Sequence, residues 1–334
     1  MRVAIFGAGL QAKRRAPAVV RAGDELTVIC AFHEETAKKL ATQFGCKHDT
    51  DWNHVVSKRD IDAVIICTPP ASHASLCISA MENGKHVLCE KPLARTSEEA
   101  IEMMETARKR KVLLKCGFNT RYHPGVSEVK RLAETGALGN LFYVKAIFGI
   151  GARPEYEKEW RVDPRYVGGG QFMEQGTHLV DLSRRLLGDF SAVTAVTCTY
   201  FVKAKSFEDN AFVLLKTKDG RVASLHASLT QWKNTFGLEV TGSQGYAAVS
   251  GMGGSYGVET LAVGKNAPSE PFSEMVIEFR GEDRCWEKEW RDFRSHIATP
   301  SWLNYGADGV RALQIVEAAY ESADKGAKVN VEPP

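Results

Sequence analysis

The sequence predicts two domains of different class. The first is an α/β domain with a doubly wound parallel sheet over residues 1–120; the second is an α+β domain over residues 121–334, built on an antiparallel sheet with helices on one face. Three observations predict this. At 334 residues the chain exceeds what one hydrophobic core usually supports. Up to residue 120, short apolar runs rich in β-branched residues alternate with helical patterns, as in parallel sheets covered on both faces. From about residue 141 the segments lengthen and alternate with period two, and hairpin signals such as Lys218-Asp219-Gly220 separate them.

In order, the first domain reads as strand RVAIFG, a helix from about Gln11, strand LTVICAF, a helix through Glu34 to Phe44, strand DAVIICT, a helix from His73 to Asn83, strand HVLCE, a helix from Ser97 to Lys109, and strand VLLKCGF. In the second domain a helix spans 171 to 187, and VTAVTCTYFV, AFVLLKT, RVASLHASL, FGLEVTG, ETLAVG and MVIEFR read as strands. No repeat and no low-complexity linker separates the halves.

Composition narrows the function. Hydrophobic residues make up 44% and charged residues 25%, as in ordinary globular proteins. Lys and Arg number 43 against 41 acids, a formal charge of +2, and no basic tract exists to neutralise a phosphate backbone, so nucleic acid is not expected as a partner. Met1 runs directly into a strand and no apolar run reaches 18 residues, so neither secretion nor a membrane span is expected. The eight cysteines are dispersed, with no C-x-x-C pair. They read as reduced core residues of a cytoplasmic protein, with neither disulfides nor a metal site.

The first strand is followed by Gly7-Ala8-Gly9-Leu10-Gln11-Ala12, a G-x-G-x-x-A turn opening a helix. Glycines there admit a pyrophosphate to the backbone amides at the positive end of the helix, so these residues are expected to hold a dinucleotide. The second strand should end in an acid that holds the adenosine ribose of NAD, yet Cys30-Ala31-Phe32-His33 stands there. NAD is expected over NADP because that stretch offers no fixed cation to a 2′-phosphate; Lys13, Arg14 or Arg15 within reach keeps NADP open.

At the close of the strand HVLCE comes Glu90-Lys91-Pro92. Proline excludes the helical region for Lys91 and directs it from a strand end, where open α/β sheets place ligands. A lysine so placed donates to a substrate oxygen or shuttles a proton; the alternative is a surface lysine paired with Glu90.

The stretch GGGQFMEQGTHLVDLSRRLLG, 168 to 188, carries a second constellation. At 3.6 residues per turn Glu174, His178 and Asp181 share one side and Leu179, Leu182 and Leu186 another. Met alone, such a row is a solvated face salt-linked to Arg184 and Arg185. Gly176 costs about 1 kcal/mol inside a helix, which fits a close approach to its backbone. His123 and His226 read as structural histidines.

Together these residues resemble the Gfo/Idh/MocA oxidoreductase family across essentially the whole chain. The resemblance rests on the glycine loop, Thr68-Pro69-Pro70 with His73, the segment from Gly84 to Pro92, Gly117-Phe118-Asn119 and the 168–188 helix. It implies an N-terminal Rossmann domain and an open-faced antiparallel sheet domain. The chemistry it implies is hydride transfer between a nicotinamide cofactor and a secondary hydroxyl or ketone of a sugar, sugar nucleotide or cyclitol. The family's catalytic lysine falls on Lys91, its helix histidine on His178, and its aspartate on Glu174, one methylene longer. His178, expected in a cleft beside Lys91, would exchange the hydroxyl proton, and Glu174 would orient the sugar or hold the histidine tautomer. The resemblance also places Thr68, Pro69, His73, Glu90, Lys91 and Asn119 around the cofactor, with Trp160 and Arg161 near it and the active site.

Between the domains, GIGARPEYEKEWRVDPRYVGGG offers Arg153, Tyr156, Lys158 and Arg161 as readers of substrate groups, alongside Lys91, Glu174 and His178; the alternative is a mobile charged loop. Three basic residues in a reader would suit an anionic substrate. The uncovered sheet face, with VTAVTCTYFV and AFVLLKT, implies a homodimer or homotetramer. Two rivals stand beside the sugar enzyme: the same fold acting on a non-sugar carbonyl, and a redox sensor that binds dinucleotide without turnover, which needs neither Lys91 nor His178.

Overall fold

The computed structural model describes residues 1–204, 207–271, 273–298 and 305–332. The chain divides into two compact units. Met1–Asn119, Arg165–Gly168 and Arg284–Leu313 form the first; Thr120–Pro164, Gly169–Asp283 and Gln314–Pro334 form the second. The first stretch of the first unit ends at Asn119, and residues 284–313 group with it.

In the first unit, β1 (Arg2–Phe6), β2 (Glu25–Cys30), β3 (Lys47–Asp49), β4 (Ala63–Ile66), β5 (His86–Glu90) and β6 (Leu114–Gly117) form a parallel sheet in the order β3-β2-β1-β4-β5-β6. Val3 pairs with Ala63 and Ile5 with Ile65, and all four are fully buried, as the unbroken apolar runs require. Strand order reverses between β1 and β4, so their carboxyl ends open the crevice where such sheets take ligands. Helices α1 (Leu10–Arg21), α2 (Glu34–Phe44), α3 (Trp52–Ser57), α4 (His73–Glu82) and α5 (Ser97–Arg110) connect the strands. Sequence reading missed β3 and α3. The three residues Lys-His-Asp carry no apolar signal, and β3 exists through backbone pairing with β2.

The second unit holds a sheet of nine strands: β7 (Leu141–Gly151), β8 (Phe190–Cys198), β9 (Asn210–Thr217), β10 (Val222–Ser228), β11 (Thr230–Gly242), β12 (Gly245–Ser250), β13 (Glu259–Lys265), β14 (Glu274–Phe279) and β15 (Val329–Asn330). Their order is β14-β13-β12-β11-β7-β10-β9-β8-β15, antiparallel except that β7 and β10 run parallel. Sequence reading passed over β7, β12 and β15, and with β7 the one parallel pair. Helix α6 (Pro124–Glu134) packs on β12 and β13, and α7 (Thr177–Leu187) on β7 and β10. Along β9, Ala211, Val213 and Leu215 are buried while Phe212 and Leu214 are exposed, so one sheet face stays open.

The returning segment contains α8 (Cys285–Ile297), and α9 (Ala307–Lys325) is divided between the units. On α8, Trp290 and Phe293 stack at 5.1 Å and complete the core around Ala12, Ala16 and Val19 of α1. The Trp290 indole donates to Asp24 at 2.8 Å, and Asp24 also takes the N-terminal ammonium. This is why the segment belongs with the first sheet: its apolar face is buried there. All eight cysteines are free thiols, and among the described residues no helix is long and apolar enough to cross a membrane.

Candidate active site

The glycine loop of the first unit is built for a ligand. Gly7 has φ +100°, and a Cβ there would stand 2.7 Å from the Cys67 carbonyl oxygen at the end of β4, so no other residue fits. Nothing lies within 4 Å of the position a Gly9 Cβ would take, and Gly9 starts α1 with no side-chain cap and no acid in the first turn. The first amides of the helix are thus left for an external anion. Leu10 is exposed at the rim, Ala12 is buried, and Gln11 Oε1 is buried without a hydrogen-bond partner among the described residues. A pyrophosphate fits this cradle: open space at Gly9, no side-chain cap and no acid in the first turn of α1. At the end of β2, Phe32 is 91% exposed where an acid would hold ribose. Arg15 is fully buried in ion pairs, so it is not a reader of a 2′-phosphate.

His73 is buried, with Nδ1 2.9 Å from the Pro92 carbonyl and Nε2 2.8 Å from that of Thr68. Burial lowers its pKa, opposed by the same two carbonyls and by Glu90. With both ring nitrogens on backbone, His73 ties the Thr68-Pro69 turn to the segment after Lys91; it positions these elements and offers no polar atom to a cofactor. The Thr68 hydroxyl accepts from Ser72 at 2.7 Å, which fixes the same turn. Glu90 is also buried, and its Oε1 takes Arg15 Nε at 2.7 Å, so it is not the surface partner of Lys91 that the alternative requires. Lys91 is half-buried at the end of β5, before a cis peptide to Pro92. Asn119 donates to Cys285 Sγ at 3.3 Å.

In the second unit, residues Phe172–Gly176 form a π-turn that leads into α7. The pitch is therefore not 3.6 throughout, and such turns recur at functional sites. Glu208 makes the turn possible by accepting from the amides of Gly170 (2.9 Å) and Phe172 (2.7 Å), while the Tyr320 hydroxyl donates to Glu208 and accepts from the Met173 amide. A Cβ at Gly170 would lie 2.3 Å from Glu208 Oε2, and one at Gly176 would lie 2.1 Å from the Phe172 ring. The close approach expected at Gly176 is thus this ring.

Glu174, His178 and Asp181 meet three separate environments, and no solvated face links them. Glu174 keeps 29% side-chain exposure, accepts from the Tyr156 hydroxyl at 3.2 Å and faces Arg161 Nε at 3.4 Å. Burial and the Glu174 charge push the Tyr156 pKa up, so its hydroxyl stays a donor. His178 is buried, with Nδ1 3.1 Å from Thr120 Oγ1 and its ring 5.7 Å from that of Phe148. Asp181 is wholly buried and grips the Arg121 guanidinium with both oxygens, through Nε at 2.7 Å and through Nη2. Arg184, offered as a salt partner of this row, pairs with Asp189 at 2.6 Å.

The segment before the triple glycine is tied down by its own acids. Arg153 pairs with Glu159 and lies 5.7 Å over the Tyr156 ring; Arg161 pairs with Glu159 at 3.2 Å and lies 4.6 Å over the Trp160 ring; Lys158 pairs with Glu155. Each of these three cations has a local carboxylate. His123 bonds Glu259 in the interior, and His226 bonds Asn210 while stacking on Phe212 at 4.2 Å, in keeping with structural roles. Sequence reading did not single out Thr120, Arg121, Glu208 or Tyr320. The first two directly follow Asn119 and could have been found there; Glu208 and Tyr320 stand in no recognisable pattern.

Residues 1–118 match the model of an oxidoreductase family with an NAD-binding Rossmann fold, and residues 126–248 match a GFO/IDH/MocA C-terminal domain. The chain is 28% identical to levoglucosan dehydrogenase of Pseudarthrobacter phenanthrenivorans, over 91% of this chain and 89% of that protein. It is 30% identical to dTDP-3,4-didehydro-2,6-dideoxy-alpha-D-glucose 3-reductase of Actinomadura kijaniata, over 72% of this chain and 69% of that protein. A solved levoglucosan dehydrogenase in complex with NADH and levoglucosan superposes with a TM-score of 0.88 at 27% identity, covering 99% of each chain.

Proposed function

The chain belongs to the Gfo/Idh/MocA oxidoreductase family, and from that premise we propose that it is an NAD-dependent dehydrogenase or reductase acting on a secondary hydroxyl or ketone of a sugar or sugar-like ring. Relatives named for a levoglucosan, a sugar-nucleotide and an inositol substrate support that class. The observation that carries the reading is the pairing of an uncapped glycine cradle, fit for a pyrophosphate, with a buried helix histidine held by a hydroxyl and a carboxylate one turn before it.

The cofactor, when bound, supplies hydride transfer at its nicotinamide ring. Gly7, Gly9, Leu10, Gln11 and Ala12 would hold its pyrophosphate and Thr68, Pro69 and Asn119 of the same unit its remaining length, to which the family resemblance adds Trp160 and Arg161. His73 and Glu90 serve by fixing the turns on which these and Lys91 stand. With Nδ1–H donated to Thr120, His178 takes the substrate's hydroxyl proton at Nε2 and returns it in the reverse reaction. Lys91 donates to the same oxygen. Glu174, steadied by Tyr156 and Arg161, accepts from a neighbouring hydroxyl of the ring, and Arg153 and Tyr156 border that position. The local neutralisation of Arg153, Lys158 and Arg161 favours an uncharged ring.

Free, largely buried cysteines favour a cytoplasmic setting, and the apolar side chains Val196, Phe212 and Leu214 on the open sheet face favour a homodimer or homotetramer closed through it. Light scattering at micromolar concentration should return a multiple of the chain mass; a monomer refutes this assembly. A panel of levoglucosan, myo-inositol and simple pyranoses, each with NAD and with NADP, tests the activity by reduced-nicotinamide absorbance. Turnover of at least one ring polyol with NAD is expected. Turnover confined to acyclic carbonyls overturns the substrate class, a tenfold preference for NADP (about 1.4 kcal/mol) overturns the cofactor, and tight NAD binding without any turnover returns the sensor reading.

A further inference from the structure

The second unit carries an exposed aromatic corner that the proposed reaction does not use. Trp232 and Phe201 are 65% and 52% exposed, and their rings stand 5.1 Å apart at 82°, the edge of one against the face of the other. The backbone is bent to place them. Along β11 the pairing with β7 passes from Thr230–Gly151 to Thr235–Gly149, so a step of five residues answers a step of two and residues 231–234 arch out of the ladder. Trp232 sits in this arch at φ +56°, a left-handed conformation that is costly for a bulky side chain and persists where its surroundings hold it. Here they do: a Cβ on Gly149 would stand 2.2 Å from Gln231 Cγ, so glycine leaves room for the arch, and Asn234 Nδ2 donates to Ser255 Oγ at 2.6 Å.

Both flanks of the corner lead to the candidate site. Ser255 adjoins Tyr256, whose ring lies 5.7 Å from that of Phe148, and Phe148 lies 5.7 Å from the His178 ring. On the other side Phe201 adjoins Val202, which is buried in one cluster with Tyr156 and Phe207, and the Tyr156 hydroxyl donates to Glu174. The buried Asp209 carboxylate accepts from the amides of Tyr200, Phe201 and Val202 and so keeps that stretch in shape. Trp232 is therefore one ring contact and one peptide bond away from the cluster that holds Tyr156.

We propose that Trp232 and Phe201 form an outer subsite that stacks a second, neutral sugar ring, so that the substrate is a glycoside or short oligosaccharide whose reacting ring lies at Glu174 and His178. This rests on reading those two residues as the sugar site. The C–H face of a pyranose carries slight positive charge and packs on the negative face of an aromatic ring, while its hydroxyls stay in water at an exposed corner. A nucleobase would also stack, but it would bring a diphosphate with it. Arg153 and Arg161 pair with Glu159 and Lys158 with Glu155, and the arch itself offers one cation, Lys233, against two phosphate charges.

Saturation-transfer NMR of the full chain with NAD present gives dissociation constants for maltose, cellobiose, lactose and glucose. At least one disaccharide should bind more tightly than glucose, and Trp232→Gly should lower that preference about three- to tenfold, as for loss of one aromatic contact. The same variant frees the arch from its left-handed strain, so its melting temperature should hold or rise, whereas loss of a ring that served only the fold would lower it. Trp232→Phe should keep most of the preference. No disaccharide preferred over glucose, or a preference that survives Trp232→Gly, overturns the proposal. UDP-glucose bound in a Trp232-dependent manner where no disaccharide is overturns the neutral second ring. A fall in light-scattering mass for Trp232→Gly with the sugar preference intact assigns the corner to contact between copies of the chain and is equally fatal. A preference lost in Trp232→Gly but untouched by Glu174→Gln keeps the outer subsite and removes Glu174 from the sugar site.

Discussion

Asp181 stands in the helix motif beside His178, yet its geometry assigns it to stability, and Asp181→Asn separates the two roles. The carboxylate is 0% exposed and the Arg121 side chain 7%, joined through both oxygens. Removing one partner of a buried ion pair leaves the other charge desolvated without its counterion, which costs about 3–5 kcal/mol. At roughly 2–4 °C per kcal/mol for a domain-sized unit, the second unit should melt about 6–20 °C lower. Calorimetry measures the shift, and kcat per folded molecule, taken well below the new transition, should stay within about threefold of the parent protein because Asp181 is committed to Arg121. The double variant Arg121→Met/Asp181→Leu should lose less stability than the single, since two apolar side chains remove both desolvation penalties. An unchanged melting temperature, or a hundredfold loss of kcat in a protein of undiminished stability, would refute this reasoning.

Further outcomes follow from other contacts. Thr120→Val removes the hydroxyl at His178 Nδ1; a lost hydrogen bond of about 0.5–1.5 kcal/mol should lower kcat by roughly three- to tenfold and displace its pH profile, so a superimposable profile contradicts the tautomer assignment. Gly9→Asp puts a carboxylate into the open space before α1; calorimetry should find NAD binding abolished in a protein with unchanged circular dichroism, and retained affinity removes the cradle from the account. Asp24 is held below the usual carboxylate range by the N-terminal ammonium, Trp290 and Arg294 against the opposing effect of burial. A depressed folded pKa adds stability above the unfolded value of about 3.9 and loses it as pH falls through the folded value. Asp24→Asn should therefore cost about 1–3 kcal/mol in urea unfolding at pH 7, with the gap closing below about pH 4; a gap that persists at pH 2 contradicts the linkage.

Much of this was legible in the residues. Continuous apolar runs such as RVAIFG and DAVIICT identify a sheet buried on both faces, and period two along AFVLLKT identifies one with an open face. What escaped has physical causes. β3 has no hydrophobic pattern because its strand character is pure backbone pairing with β2. The CWEKEWRDF helix announces an apolar face in Trp290 and Phe293, but nothing local says that the face is buried against α1, some 270 residues earlier in the chain. At the candidate site, motif and spacing pick out Lys91, Glu174 and His178 as candidates, whereas helical periodicity at 3.6 residues per turn misjudges the phase of Glu174 against His178 and Asp181, because Glu174 lies in a π-turn and the other two on the regular helix after it. The partners that decide each role, Thr120, Arg121, Tyr156 and Glu208, come from other elements, and only tertiary contact reveals them. In the segment 149–170, Arg153, Lys158 and Arg161 pair with Glu159, Glu155 and Glu174, contacts that a count of charges does not show.

The most direct test of the central claim is turnover by Lys91→Ala, His178→Ala and the double variant on whichever ring substrate the panel identifies. General acid–base assistance contributes about 10² to 10⁴ in rate, so each single variant should lose kcat by that factor while binding NAD as tightly as the parent protein. The double variant should lose less than the product of the two factors, since both residues serve one proton transfer. Near-parental kcat in both single variants would contradict the account: the lysine before Pro92 and the histidine of α7 would then be structural, and the chemistry would lie elsewhere in the chain.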